Sequence, residues 1–370
     1  MKITYRKDQS RDVRFLPSAD DVASKMTDAD VESVVEIFQT PLTGAYNWDY
    51  TEGRGRIEKL YELGKQLNWN ASTDLDWTIP FSRDEFPNDE AFNPFVGYEP
   101  YEAMTQAQKV NFGWHRLASQ LSQFLHGEQG ALLVASQLAS CAPSFDAKLY
   151  AASQTFDEAR HVEVFNRYLH HRVGIMYPMS RNLKLLIDKI LTDERWDLKF
   201  IGMQIIIEGL ALAAFNTAKM TTRDPLLKNL VHYVVRDEAR HVTFGVNYLE
   251  EYVKTLTPTQ VEDRAQFAYE ACVVMRDRLA ATEIFEHFGW DVEKARERML
   301  KSLSGNSESR RTFAQLLFGR VIPNLKRIGL LTDRVRPLYQ QLGVLEFEAL
   351  PHDGITDWAE LEKPLFADVG

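Results

Sequence analysis

Apolar residues recur at helical spacing along most of the chain, in segments too long for strands and separated by turn-forming residues. From about Tyr101 to Ser140 the pattern runs without a proline, and it resumes from about Ser144 to His171. Gly174, Pro178 and Ser180 then interrupt it before a shorter helix from Arg181 to Leu191. Asp193 begins the next long helix, which ends near Met220. Asp224 and Pro225, suited to an N-cap and a first helical position, open its partner, which reaches about Leu256. Thr257 and Pro258 begin a helix to about Gly289, followed by Asp291 to Leu303 and Ser307 to Ile328, the last expected to kink or break at Pro323. Upstream lie short helical patterns at Asp28 to Phe38 and Gly55 to Leu67, then an irregular stretch crowded with Trp69, Trp77, Phe81, Phe86, Phe92, Phe95, Tyr98 and Tyr101. These aromatics are expected to bury area against the helices, or to cover one end of a site held within them. The tail from Leu342 to Gly370 reads as surface-wrapping loop, and no stretch reads as a sheet. The expected architecture is all-α: residues 1–100 an extension packed on a bundle, 101–256 a four-helix core, and 257–370 further helices and tail of the same domain.

Charged residues break the apolar pattern inside the long helices, and the breaks repeat. Asp157-Glu158-Ala159-Arg160-His161 and Asp237-Glu238-Ala239-Arg240-His241 are the same five residues, 80 positions apart. Within each copy the Glu and the His are three positions apart, so both project from one helical face and can bind one metal ion. Glu128 and Glu208, each inside an apolar run, precede Glu158 and Glu238 by 30 positions. Two ligands facing each other across a helical hairpin should lie equally far from its turn. The midpoints are Pro143 and Arg223, both within turn-forming sequence. Tyr168-Leu169 and Tyr248-Leu249 also stand at matching distances after the two histidines, so a duplicated helical hairpin accounts for the pattern.

Four glutamates aimed into an apolar core need compensating charge, which two divalent cations would supply. A ligating histidine normally donates its other N–H to an acceptor that fixes its orientation. Asp157 and Asp237 are candidates for that role, with Arg160 and Arg240 to neutralise them. Oxygen and nitrogen ligands suit iron or manganese, although zinc could compete on affinity. Iron is preferred because two adjacent Fe(II) ions can together deliver two electrons to O2. The two cysteines, Cys141 and Cys272, exclude a disulfide framework and a four-thiolate iron–sulfur cluster, so a separate electron-donor protein, a reductase or ferredoxin, is expected. A net charge of -10 favours neither nucleic acid nor an anionic membrane. The N-terminus has no apolar signal segment, and the most apolar window, Ile201 to Phe215, is short for a bilayer and contains Gln204 and Glu208. A cytoplasmic protein is expected.

The six residues Glu128, Glu158, His161, Glu208, Glu238 and His241 resemble the ligand set of the ferritin-like di-iron carboxylate superfamily. That superfamily includes multicomponent monooxygenase hydroxylases, acyl-carrier-protein desaturases, arylamine N-oxygenases and the ribonucleotide reductase small subunit. The resemblance covers about residues 105 to 255 and implies a ferritin-like four-helix bundle holding two metal ions. In the Asp-Glu-x-Arg-His form of its motifs the chain looks most like the monooxygenase hydroxylases, which implies cross-pairing of Asp157 with His241 and of Asp237 with His161. Several positions depart from related patterns. The reductase small subunit typically has Asp as first ligand and a radical-bearing Tyr four residues after the first His, where this chain has Glu128 and Phe165; variants with Phe there and a manganese/iron site exist. Arylamine N-oxygenases carry an additional His four residues before the fourth Glu, where this chain has Val234. Monooxygenases and desaturases usually place a Thr one turn after the third Glu, where this chain has Ala211 and Leu212.

The resemblance implies an O2-activating di-iron oxygenase that oxidises a small organic molecule, with Ala131, Leu132, Phe165, Ala211, Leu212 and Phe244 lining the substrate space. The alternatives are a radical-generating or electron-transfer subunit, which needs a large partner, and an iron-sequestering protein, which needs a multisubunit shell. A homodimer would suit the oxygenase. Ordinary ferritins are much shorter, and the helices after residue 257 and the aromatic N-terminal stretch argue against sequestration.

Overall fold

The structure is a computed structural model that describes residues 14–15, 37–50, 55–277, 282–304 and 308–354. Three of the four long bundle helices begin at a side-chain cap. Helix α1 spans Arg56–Gln66, α2 Glu99–Glu102 and α3 Gln106–Cys141. Thr105 caps α3 through a capping box: its hydroxyl accepts from the Gln108 N–H (3.3 Å), and the Gln108 side chain accepts from the Thr105 N–H (2.8 Å). The hairpin turn expected around Pro143 follows Cys141, and Ser144 caps α4, Phe145–Tyr168. This helix widens into a π-type turn, Leu169–Val173, and stops at Gly174, whose φ of 67° suits glycine. The crossover helix α5 is Arg181–Thr192.

Helix α6, Trp196–Thr221, starts three residues later than expected, because the Asp193 carboxylate accepts from the Arg195 backbone and guanidinium instead of starting the helix. It contains a second π-type stretch, Ile201–Ile207, just before Glu208, where the sequence reads as continuous α-helix. Such bulges concentrate at functional sites. By length and composition α6 could cross a membrane, unlike the shorter window read from the sequence, but it is buried inside the protein. Asp224 caps α7, Pro225–Val253, by accepting from the Leu226 N–H at 2.8 Å.

Helices α3, α4, α6 and α7 form the bundle, with α3 against α4 and α6 against α7 as two hairpins. Around it pack α8 (Pro258–Asp277), α9 (Thr282–His287), α10 (Val292–Ser304), α11 (Glu308–Arg327) and α12 (Arg336–Gln341). Helix α11 continues through Pro323, contrary to the expected break, and the buried Val321, Ile322, Asn324 and Leu325 on either side show why packing outweighs the lost hydrogen bond. The tail is tied down as far as it is described: Asp353 accepts from Asn324 at 2.9 Å, and its carbonyl accepts from Thr243 at 2.8 Å. The only sheet among the described residues is a two-residue pairing of β1, Arg14–Phe15, with β2, Ile175–Met176. The expected helix from Asp28 lies outside the described residues except for Ile37 and Phe38, which are not helical.

Candidate metal centre and substrate cavity

The bundle brings all six predicted carboxylates and histidines together, each at most 5% exposed. Two overlapping quartets form, each compact enough to hold one ion: Glu128, Glu158, His161 and Glu238 in one, Glu158, Glu208, Glu238 and His241 in the other. Glu158 and Glu238 belong to both. Glu158 presents Oε2 to His161 Nδ1 at 3.3 Å and Oε1 to His241 Nδ1 at 3.2 Å. Glu238 does the same with Oε1 at 3.0 Å and Oε2 at 3.4 Å. The two sequence repeats therefore do not each form their own site; both supply a shared carboxylate.

Both imidazoles turn their Nε2 atoms away from this cluster toward the crossed aspartates. His161 Nε2 is 3.2 Å from Asp237 Oδ2, and His241 Nε2 is 3.3 Å from Asp157 Oδ2. Arg240, wholly buried, spans Asp157 and Asp237 at 3.0 and 2.7 Å, and Arg160 also bonds to both aspartates. Sequence reasoning missed two further partners. Trp69 Nε1 donates to Asp237 Oδ2 at 2.6 Å, and nothing in its sequence context pointed to that role. Gln154 Nε2 donates to Glu158 Oε1 at 2.9 Å and Glu208 Oε1 at 3.3 Å. Gln154 lies one turn before Glu158, so helical spacing did hold a signal, and it occupies in the first repeat the position Val234 occupies in the second. Gln204, from the π-type stretch, holds the Gln154 carbonyl. A Cβ on Gly245 would lie 2.4 Å from the Gln204 Cβ, so this approach of α6 to α7 needs glycine.

The electrostatics describe a site built for cations. Burial raises Glu128 and Glu208 well above the usual carboxylate range, reinforced by the neighbouring glutamates. Burial also opposes charge on Glu158, but His241 and His161 outweigh it and hold it well below that range. Burial opposes charge on both histidines, but the surrounding glutamates and the crossed aspartates outweigh it and hold both well above the usual imidazole range. Glu158 Oε2, both Glu238 oxygens and His241 Nδ1 are buried without a hydrogen-bond partner among the described residues. Three carboxylates and one imidazole per quartet, with these buried oxygen and nitrogen atoms unpartnered, fit two divalent ions of the iron or manganese type. Replacing Gln154 with leucine is expected to lower metal affinity by about 10- to 100-fold. Competition with a chelator measures this, and unchanged affinity would mean that its amide does not orient the ligands.

A cavity of about 700 Å³ reaches this cluster between α3 and α6. Glu128 and Glu208 form its inner end beside Phe124, Leu210 and Phe215. Its outer end is polar, with Asn88, Asp89, Glu90, Asn93, Arg116 and Gln120. Ala131 and Ala211 line it as expected, but Leu132, Phe165, Leu212 and Phe244 do not. Helices α4 and α7 do not border it. Phe165 therefore stacks behind Phe215 at 5.7 Å, and Phe244 packs on Tyr150 at 4.3 Å. On α3 and α6 the cavity lies on the flank of the third residue after the glutamate, which leaves the fourth, Leu132 or Leu212, outside. The segment from Pro87 to Phe95 covers the outer part of the cavity, and Trp69, Phe95 and Tyr101 are core. Of the N-terminal aromatics, Phe92 and Phe95 are the ones that line the cavity.

Comparison with known proteins gives three findings. Curated relatives include the uncharacterized proteins Rv0885 of Mycobacterium tuberculosis and Mb0909 of Mycobacterium bovis, each 24% identical over 237 residues, which cover 58% of this chain and 66% of theirs. The chain thus spans just under two thirds of the length of these relatives. Solved structures of similar shape include two variants of an R2-like ligand-binding oxidase with anaerobically reconstituted Mn/Fe cofactor, at 19% and 18% identity, TM-scores of 0.45 and 0.46, and coverage of 68% of this chain and 92% of theirs. The family model described as p-aminobenzoate N-oxygenase AurF matches residues 51–329, three-quarters of the chain and every residue of both quartets. Among the families that the motifs resemble, this match selects the arylamine N-oxygenases over the monooxygenase hydroxylases, even though Val234, buried one turn before Glu238, stands where an additional histidine is usual. The chain belongs to the p-aminobenzoate N-oxygenase AurF family.

Proposed function

We propose that this protein is an O2-dependent di-iron N-oxygenase that oxidises the amine of an aromatic substrate held between α3 and α6. The carrying observation is that Glu128 and Glu208, one from each quartet, stand among the apolar residues Phe124, Leu210 and Phe215 at the inner end of the cavity. The bound irons supply the Lewis acidity and redox capacity for O2 reduction. Phe124, Leu210 and Phe215 exclude water there and leave an aromatic ring as the natural occupant of the inner end. One turnover consumes the amine, O2, two electrons and two protons, and yields the hydroxylamine and water. The two buried, unpaired cysteines offer no iron–sulfur relay, so the electrons come from a separate donor protein. Phe165 offers no phenol at the position that a radical-bearing subunit uses.

Arg116 lies twelve residues before Glu128 on one helix, about 18 Å along its axis, and a cavity of about 700 Å³ is large for a single aminobenzoate. Arylamines with a polar extension are therefore expected to show lower KM than p-aminobenzoate. The test is anaerobic loading with two equivalents of Fe(II), exposure to O2, and mass analysis of a panel of arylamines, with Glu208→Ala as control. Oxygen insertion at nitrogen, absent in the control, is the expected result. Products oxidised only at carbon, or no O2 consumption, would overturn the reading.

A further inference from the structure

A second cleft, of about 520 Å³, opens where the π-type end of α4 meets the N-terminal half of α3. Arg83, His115, His170, His171, Arg172 and His287 line it, and no carboxylate does. That gathers four of the nine histidines of a chain with net charge -10 into one cationic hollow. We propose that this cleft is an oxyanion site that takes the phosphate group of a small-molecule ligand.

The side chains are held in place yet retain donors. Arg83 lies over the Trp114 ring at 4.2 Å and, among the described residues, donates to the Arg172 carbonyl at 3.4 Å. Arg172 is anchored by the Ile79 carbonyl. His115 and His287 stack at 4.4 Å, and Tyr177 holds His115 Nδ1 at 2.8 Å, which leaves Nε2 for the cleft. Burial, with His287 and Arg83 nearby, pushes His115 down to about 4, so at neutral pH its ring is uncharged and can still donate one N–H. His170 Nδ1 is buried without a hydrogen-bond partner among the described residues. The carboxylates near these groups stand behind them: Asp224 is 3.8 Å from Arg172 Nε, and Glu283 lies toward Tyr177.

Two guanidiniums and several imidazoles offer more donors than the two oxygens of a carboxylate can accept, whereas a phosphate dianion uses three or more. Among the described residues these histidines bring no three ligand atoms close enough for a metal ion, and the two guanidiniums oppose a cation. The cleft is also separate from the redox centre. His170 is nine residues beyond His161 and His115 thirteen before Glu128, about 14 and 20 Å along their helices. Arg116, the next residue on α3, lines the substrate cavity instead.

Calorimetry of the metal-loaded protein with inorganic phosphate, pyrophosphate, ADP and acetate at low salt tests this. Phosphate and pyrophosphate should bind and acetate should not. Tighter binding of ADP than of pyrophosphate would identify a nucleotide as the source, and equal binding would identify the phosphate moiety alone. Arg83→Gln and His170→Asn should each weaken pyrophosphate about tenfold, with iron stoichiometry and melting temperature unchanged. Histidine NMR should show the titration of His115 moving upward when pyrophosphate is added. No binding of pyrophosphate near 1 mM, roughly the weakest affinity a built site should give, would overturn the proposal. So would full affinity in Arg83→Gln, or a His115 resonance that pyrophosphate leaves in place.

Discussion

Replacing Glu238 with alanine is expected to cost the protein both metal ions, whereas replacing Glu208 costs one. The difference follows from the quartets: Glu238 faces both histidines, at 3.0 and 3.4 Å, and belongs to both groups, while Glu208 belongs to one. Without Glu238 each ion keeps three of four ligands and loses the carboxylate that holds its neighbour at a fixed distance. Without Glu208 the quartet of Glu128, Glu158, His161 and Glu238 is intact. Iron per chain, measured after loading and desalting, should fall from two to near zero in Glu238→Ala and to one in Glu208→Ala. Thermal stability should follow occupancy, because an ion at a hundred times its dissociation constant stabilises the fold by about 2.7 kcal/mol. Two irons retained in Glu238→Ala would rule out the bridging role, and equal losses in the two variants would show that the ions bind only as a pair.

Arg240→Met is expected to be the most destabilising of the single substitutions considered, by about 3–5 kcal/mol. Arg240 is fully buried and joins Asp157 and Asp237 at 3.0 and 2.7 Å. Removing it leaves two buried carboxylates to share Arg160. The loss should depend on pH with a definite sign. Burial opposes charge on Asp237, but Arg240 and then His161 outweigh it and hold its carboxyl well below the usual range. The unfolded chain takes up that proton first as pH falls, so the stabilisation is fully present above the ordinary carboxylate range and disappears below it. Urea unfolding of the metal-free proteins should therefore show the largest gap between wild type and Arg240→Met near neutrality, narrowing in acid. A gap that stays constant with pH would point to lost packing around a long side chain instead of lost charge pairing.

Gln154 and Val234 show where sequence reading of this site succeeded and where it stopped. The six cluster residues were legible because each Glu–His pair sits three positions apart on one helix, Glu128 and Glu208 precede those pairs by 30 positions, and the whole pattern repeats after 80. Gln154 was within reach of the same reasoning, one turn before Glu158, but its amide gains meaning only when Glu208 arrives from another helix at 3.3 Å. Trp69 was not within reach, because its partner Asp237 lies 168 positions away and no periodicity links them.

By itself, then, the sequence determined the helical class, the two hairpins, the residues that converge on the bundle axis and, through its resemblance, the crossed aspartates. All but the last are consequences of spacing along single helices and of local capping; the crossed aspartates came with the resemblance alone. Only the tertiary structure decided that Glu158 and Glu238 are shared, that the cavity opens between α3 and α6, and that α6 carries a π-type stretch ahead of Glu208. Sharing depends on which oxygen of each carboxylate faces which histidine, and the cavity on which flanks of neighbouring helices stay apart. Both are relations between helices, and the spacing of residues along one chain does not contain them.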